Sequence, residues 1–536
     1  MSKQMIMGNQ AIALGALKAG VNLVTGYPGT PSSEIIEFIS KYKDKTGTYV
    51  EWSVNEKAAV EVAAGASYAG SRTLITMKQV GLNVASDPVM CLSYVGVKGG
   101  MVIVSADDPG PISSQTEQDT RNFAQFSKIP CLDPSTPQEA FNMIQEAFEL
   151  SEKYNTPVLL RPTTRVDHAY ESMEFPELKP CRTKGTFEKD SQRWVIFPRT
   201  SYNNHKRVFE RNENILPTEF SKSIYNKVIT SEAKGGQTPA YAAGGISYCY
   251  LMEALESLKA LYPKDKSLQN ASILKIGTPY PFPAPLALDF MKKNTEITVF
   301  EELDPVIEQN LIYLCGKEGL SCKIHGKLDK SVPEAGELSV EIIKKIIIKE
   351  RGLSPLEDEV QLPPPALPVR PPVLCTGCPH RGSFYAVKQA MKGKKTAYCG
   401  DIGCYTLGNA QPLDMTDTCL CMGADITMAQ GFYHNEEDRH CFSFIGDSTF
   451  FASGITGVVN AVYNQSHQTI CILDNSTTAM TGHQPHPGTG VTMMGQFVDK
   501  ISIPKILEAI GVKPIIEVDP FDQKSAIQAV QTASQA

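Results

Sequence analysis

Two short segments carry the residue types of a metal and diphosphate site: Gly446-Asp447-Ser448 and Asp474-Asn475. Each follows an apolar run, His440-Cys441-Phe442-Ser443-Phe444-Ile445 and Thr469-Ile470-Cys471-Ile472-Leu473. The runs read as buried strands, and the small apolar residues 449–464 read as a helix about 24 Å long. A right-handed crossover makes such strands parallel. Asp447 and Asn475 then both emerge at carboxyl ends, where open α/β sheets bind ligands. One carboxylate and one amide oxygen suit Mg²⁺, which completes its octahedron with phosphate oxygens and water. Gly446 lets the backbone turn, and the helix starting near Thr449 offers free N–H groups to a phosphate. Taken singly, Gly-Asp and Asp-Asn are ordinary turn formers after strands. At this spacing, together, they favour a diphosphate.

The cysteines form a second constellation. The chain has 14, and eight of them lie from Cys375 onward. A chain this long does not need a disulfide scaffold, so the crowding points to thiolate chemistry in a reducing compartment. Cys375 and Cys378 have the spacing that places two thiolates on one metal centre. Tetrahedral zinc on Cys375, Cys378, Cys399 and Cys404 is one alternative to an iron–sulfur cluster; reduced cysteines packed as small hydrophobes are another. Cys419, Cys421, Cys441 and Cys471 have apolar neighbours and are expected in the core.

These residues need a scaffold. The 536 residues, 42% hydrophobic and 20% charged, suit a globular chain and exclude a disordered or fibrous one. At about 150 residues per domain, three or four domains are expected. No apolar run approaches the roughly 18 residues of a membrane span. Polar residues and glycine interrupt the N-terminal apolar stretch, which argues against a secretory signal. A net charge of −7 argues against nucleic acid as the main partner. A soluble, cytoplasmic protein that spans no membrane is the expectation.

Strand and helix signals alternate in three blocks, predicting an α/β chain of three doubly wound parallel-sheet domains. The first covers residues 1–170, with strands near 20–25, 48–53, 73–77 and 101–105 and an alanine-rich helix over 56–69. Residues 171–236 are charged and aromatic without a clear period, and read as a linker or insertion. A second α/β block spans 237–352, with strands at 240–244, 272–277 and 297–301. A proline-rich connector occupies 353–372, where stacked prolines favour extended chain. The diphosphate-type domain fills 373–536.

Gly446-Asp447-Ser448, a helix and strand, then Asp474-Asn475 resemble the thiamine diphosphate signature. Ser448 stands for its last glycine and Asp474 for its first asparagine. Further segments are similar to the alpha subunit of indolepyruvate ferredoxin oxidoreductase. They are Tyr27-Pro28-Gly29-Thr30-Pro31-Ser32-Ser33-Glu34, Cys375-Thr376-Gly377-Cys378-Pro379-His380-Arg381, Gly400-Asp401-Ile402-Gly403-Cys404-Tyr405, Cys421-Met422-Gly423-Ala424 and Thr478-Ala479-Met480-Thr481-Gly482-His483-Gln484-Pro485-His486-Pro487-Gly488. The likeness covers nearly the whole chain, in order.

This resemblance implies a thiamine diphosphate-binding fold, with residues 1–170 as the pyrimidine-binding domain and 237–352 as a transketolase C-terminal-like domain. Asp447, Asn475 and the carbonyl of Thr477 are the implied Mg²⁺ ligands. Gly446, Ser448, Met422 and Gly423 are implied at the cofactor. Glu56 matches the glutamate beside the aminopyrimidine ring, where a first-turn glutamate otherwise complements the helix dipole; Glu61, one turn later, ranks second. Thr30 is implied at the substrate carboxylate. Gln79 departs from the family pattern, which has histidine there. An amide cannot act as a general acid, which bears on substrate preference.

Cys404 matches a third ligand of a proximal [4Fe–4S] cluster, with Cys399 as an alternative, although such a cluster normally takes four thiolates. The implied reaction is oxidative decarboxylation of an aryl 2-oxo acid with coenzyme A, giving an aryl-acetyl-CoA, CO₂ and reduced ferredoxin. Implied partners are a small beta-type companion subunit and ferredoxin, in a dimer of heterodimers. Family alpha subunits continue into a last strand and a ferredoxin-like cysteine-rich tail. This sequence ends without either, which suggests a fragment or clusters carried by another polypeptide. A non-oxidative decarboxylase and a non-catalytic subunit that keeps the fold are the competing readings.

Overall fold

The computed structural model describes residues 3–229, 238–354, 366–368 and 370–536. The chain divides into two compact units, Met1–Val360 and Gln361–Ala536.

The first unit begins with strands β1 (Lys3–Met7), β2 (Leu23–Gly26), β3 (Tyr49–Trp52), β4 (Thr73–Lys78), β5 (Met101–Ala106), β6 (Cys131–Leu132), β7 (Val158–Leu160) and β8 (Tyr170–Glu174). Six form a parallel sheet in the order β3-β2-β4-β5-β7-β6, while β1 and β8 pair as an antiparallel ribbon. β5 is buried along its whole length, as its continuous apolar run requires of a central parallel strand. The helix Glu56–Tyr68 lays Ala59, Val60 and Ala63 against Ile75 and Met77 of β4, and its small side chains allow close approach. Asn55 caps it, accepting the Ala58 N–H at 2.8 Å. From β2 the chain moves outward to β3, then passes back across β2 to β4. Strand order therefore reverses between β2 and β4, which opens a crevice at their carboxyl ends.

A second sheet follows in the same unit: β9 (Lys227–Ile229), β10 (Ala240–Gly244), β11 (Ser272–Ile276), β12 (Glu296–Phe300) and β13 (Lys323–His325). Its order is β13-β12-β10-β11-β9, with β9 alone antiparallel. Buried charges tie it to the first sheet: Arg121 reaches Asp119 at 2.6 Å and Glu301 at 2.8 Å. Removing one member would strand a charge, at a cost of about 3–5 kcal/mol.

Of the two readings of residues 171–236, linker or insertion, the structured one applies. Residues 171–236 are more than a linker: they hold the helix Pro198–Glu210, a wider-turned stretch Arg211–Ile215, the helix Leu216–Phe220 and β9. Trp194 from this region stacks on Tyr68 at 4.3 Å, so the segment packs on the first sheet's helices. Residues 230–237 and most of the proline-rich connector lie outside the described residues.

The second unit contains β14 (Thr396–Gly400), β15 (Thr418–Cys419), β16 (His440–Gly446) and β17 (Thr469–Leu473), all parallel in the order β15-β14-β16-β17. Phe384, Phe442 and Phe444 centre one of its cores. Strand order reverses between β14 and β16, giving this sheet its own crevice. The helix expected over 449–464 is in fact interrupted. Asp447–Thr449 leads into five residues of wider turn, Phe450–Gly454, before the helix Ile455–Tyr463. Cys441 is buried as expected and Cys471 partly so, but Cys419 and Cys421 are exposed, contrary to their apolar neighbours.

Candidate active site

In the second unit, Gly446 aligns with Leu473 across β16 and β17, so Asp447 and Asn475 leave neighbouring strands at one edge. Asp447 Oδ1 accepts the Ser448 N–H at 2.9 Å, and Oδ2 lies 3.1 Å from His486 Nε2. His486 Nδ1 accepts the Gly488 N–H at 3.0 Å, which leaves Nε2 to carry the proton donated to Asp447. Burial pushes the Asp447 carboxyl up, but the hydrogen bonds from His486 and the Ser448 N–H hold the group below the ordinary carboxylate range. Asn475 Oδ1 accepts the Thr477 N–H at 3.2 Å. Thr478 Oγ1 donates to Ser448 Oγ at 2.9 Å, tying the loop after β17 to the loop after β16.

Gly423 joins this edge from the other side of the crevice. Its φ is +82°, and a Cβ there would lie 2.3 Å from Ser453 Oγ. Its N–H donates to Asp401 Oδ1 at 2.7 Å, while Asp401 Oδ2 accepts the Tyr405 hydroxyl at 2.6 Å. Burial raises the Asp401 carboxyl to about 6. Tyr405 also fills the space beside Gly446, where a Cβ would come within 2.6 Å of its Cε1. Met422 O accepts from Ser453 Oγ at 3.1 Å. Bare backbone at Gly423 and Gly446, with one carboxylate and one amide, is a donor set suited to Mg²⁺ and phosphate oxygens. Among the described residues no group of three or more His, Cys, Asp or Glu is set to hold a metal ion.

In the first unit, Glu56 begins its helix immediately after β3 and is 8% exposed. Gly81 makes room for it, since a Cβ there would meet Glu56 Oε1 at 2.5 Å. Burial raises the Glu56 carboxyl to about 7, against the pull of its own backbone N–H and of Lys78. Glu61, the competing candidate, sits at the surface in an ion pair with Lys57. Thr30 lies half-buried in the turn after β2. That turn is held by Asn9, whose Nδ2 donates to Pro31 O at 2.6 Å. Gln79 follows β4 and is 2% exposed; its Nε2 donates to Thr116 O at 3.3 Å. Glu56, Thr30 and Gln79 thus stand at the carboxyl ends of three adjacent strands, β3, β2 and β4.

Cys375 and Cys378 share a turn, with the Cys378 N–H donating to Cys375 O at 3.2 Å. Burial raises the Cys404 thiol, and the Cys378 and Cys375 thiols, close enough to interact, raise it further. Cys399 packs elsewhere, in a core with Ala397, Ala429 and Cys441, and burial pushes its thiol up to about 12. Cys375, Cys378 and Cys404 therefore influence one another without forming a three-ligand metal group, and the set does not fit a [4Fe–4S] cluster, which takes four thiolates, by itself.

Sequence reasoning missed His486, Asp401, Tyr405, Asn9 and Gly81 as site-builders. Gly400-Asp401 after β14 repeats the strand-Gly-Asp pattern of Gly446-Asp447 after β16, a signal that was present to be read.

Parallel sheets with a carboxylate–amide edge, and a buried glutamate at a second such edge, define a thiamine diphosphate-binding α/β protein. Residues 14–229 match the family described as "Pyruvate flavodoxin/ferredoxin oxidoreductase, thiamine diP-bdg", and residues 401–536 match "Thiamine pyrophosphate enzyme, C-terminal TPP binding domain". The indolepyruvate oxidoreductase subunit IorA of Methanothermobacter marburgensis is 40% identical over 535 residues, which are 99% of this chain and 84% of that one. The Pyrococcus abyssi subunit of the same name is 40% identical over 554 residues, 99% of this chain and 83% of that one. A solved 2-oxoglutarate:ferredoxin oxidoreductase from Magnetococcus marinus superposes with a TM-score of 0.51 at 16% identity. That match takes in 65% of each chain and shows a shared fold. The chain belongs to the IorA family of indolepyruvate oxidoreductase subunits, and is a subunit of an oxidoreductase. Among the described residues no helix is long and apolar enough to cross a membrane.

Proposed function

We propose that this chain is the catalytic subunit of an enzyme that oxidatively decarboxylates aryl 2-oxo acids. The reaction joins the 2-oxo acid to coenzyme A, releases CO₂ and one proton, and passes two electrons to ferredoxin. The observation that carries this reading is Glu56, a carboxyl raised to about 7 inside a notch left by Gly81, at a sheet's ligand-binding edge. Such a group exchanges a proton readily at neutral pH.

Thiamine diphosphate, when bound, supplies a nucleophilic carbon and an electron sink. Asp447, Asn475 and the Thr477 carbonyl hold its Mg²⁺, while Gly446, Ser448, Met422 and Gly423 receive the diphosphate. His486 fixes the orientation of Asp447. Glu56 holds and returns the proton at the aminopyrimidine nitrogen. Thr30 and Gln79 contact the substrate, with Gln79 donating or accepting hydrogen bonds rather than transferring a proton. Cys375, Cys378 and Cys404 are the candidate iron ligands, one short of the four thiolates a [4Fe–4S] cluster takes. A small companion subunit completes the enzyme, as a dimer of heterodimers in the cytoplasm.

The test is anaerobic purification with the companion subunit, followed by iron, sulfide, zinc and thiamine diphosphate analysis and an assay on indolepyruvate. Ferredoxin reduction that requires coenzyme A supports the proposal. Aldehyde released without coenzyme A or acceptor would identify a non-oxidative decarboxylase instead. Failure to bind thiamine diphosphate with Mg²⁺ would leave a non-catalytic subunit.

A further inference from the structure

The crevice between β2 and β4 holds one cation that the proposed chemistry has not used. β4 ends on Lys78, the residue before Gln79. Its stem packs against the turn that carries Thr30: a Cβ at Gly29 would lie 3.2 Å from both Lys78 Cγ and Cδ. Its ammonium donates to Ser113 O at 3.1 Å and enters no ion pair among the described residues. The Glu56 and Asp108 carboxylates act on it only through their field, opposing the burial that lowers its pKa.

Other buried or half-buried cations here are spoken for. Lys275 pairs with Glu139 and donates to Ser135 Oγ at 3.0 Å. Lys327 spans two carbonyls, Pro333 O at 2.8 Å and Glu334 O at 3.4 Å. Arg121 and Arg161 are each bound by two carboxylates. An ammonium has three donors, and at Lys78 a single carbonyl takes one of them. What remains is a positive charge at the switch point of a parallel sheet, flanked by Thr30 and Gln79. A 2-oxo acid brings a carboxylate to that place. Lysine also suits the chemistry: a point charge attracts the group without clamping its plane as a guanidinium fork would.

We propose that Lys78 binds the carboxylate of the 2-oxo acid in the crevice between β2 and β4. This rests on the function proposed above and adds the residue that selects an acid over a neutral carbonyl compound.

The experiment uses the assembled enzyme with Lys78→Met and Lys78→Arg. Steady-state turnover of indolepyruvate and phenylpyruvate is measured, together with inhibition by indoleacetate and by the uncharged indoleacetamide. Lys78→Met should raise KM for both 2-oxo acids at least tenfold and weaken indoleacetate inhibition by a similar factor. Indoleacetamide inhibition should stay within about twofold, because that ligand never used the charge, and Lys78→Arg should recover most of the loss. Unchanged KM in Lys78→Met overturns the assignment while leaving the enzyme's function intact. Equal weakening of acid and amide also overturns it, since that reports a collapsed pocket. A wild-type enzyme inert toward every 2-oxo acid would overturn the assignment together with the function on which it rests.

Discussion

Each unit has one sheet edge that carries candidate site residues, and the two edges are built alike but hold their carboxyl groups in different protonation states. Each is the carboxyl end of a parallel sheet at a reversal of strand order, and each presents one acidic side chain there. Glu56 is enclosed by Gly81 and its neighbours, enters no ion pair among the described residues, and has its carboxyl raised to about 7. Asp447 receives the His486 Nε2–H at 3.1 Å and its own loop's amide at 2.9 Å, and is held low despite burial. Topology supplies a place for a carboxylate. What touches the carboxylate decides whether it keeps a proton or keeps a negative charge. The first state suits proton exchange with a ring nitrogen, the second suits a cation.

The largest effect should come from Asp447→Ala. Removing the carboxylate from the metal edge should abolish retention of Mg²⁺ and thiamine diphosphate through gel filtration, with turnover falling to background. Retention equal to wild type would mean that the two edges do not divide the labour as described. Glu56→Gln should do the reverse, preserving cofactor binding by calorimetry while lowering turnover by about 10²–10⁴-fold. An amide there keeps the shape and loses the proton. If cofactor binding and turnover fell together, Glu56 would be a structural residue.

The same substitution also tests the electrostatic half of the comparison in the cofactor-free chain. Glu56 in the folded chain keeps a proton between pH 4.5 and about 7 that the unfolded chain has already released. Stability contributed by this group is therefore present below pH 4.5 and is lost as pH rises to about 7. The full loss corresponds to at most about 3 kcal/mol. Urea unfolding at pH 5 and pH 8 should show wild type losing more stability than Glu56→Gln. Other raised carboxyls, such as Asp425 at about 8 and Glu302 at about 7, contribute equally to both proteins and cancel. Parallel pH profiles would show that Glu56 ionises normally. On the opposite edge, His486→Gln should weaken Mg²⁺ affinity by about 10–100-fold, the usual cost of losing a partner that orients a metal ligand.

How much of this was readable in the chain depended on the reach of the interactions. β10 at Ala240–Gly244 and β17 at Thr469–Leu473 match their sequence-based bounds, because short apolar runs flanked by turn residues leave few alternatives. Asp447 and Asn475 were legible as a pair because one crossover fixes their relation. His486 was not, since it lies 39 residues beyond Asp447, in the irregular chain that follows β17. Gly81 read as an ordinary helical glycine, and only the packed structure shows what its missing side chain accommodates. The helix Pro198–Glu210 escaped detection because Val208 is its only buried residue, so no apolar stripe marks it. Cys419 and Cys421 misled for the opposite reason: Leu420 between them is itself 66% exposed.

Glu61 gives the smallest expected effect and the sharpest control on Glu56. Both glutamates lie on one helix, five residues apart and on different faces. Glu61 is solvent-exposed and pairs with Lys57, an i,i+4 contact of the kind worth about 0.2–0.5 kcal/mol. Glu61→Gln should therefore shift unfolding by no more than about 0.5 kcal/mol, with turnover and its pH profile unchanged. A loss of turnover comparable to that of Glu56→Gln would show that the helix as a whole, rather than the enclosed carboxyl, is sensitive to lost charge. The contrast between the two edges would then rest on the Asp447 side alone.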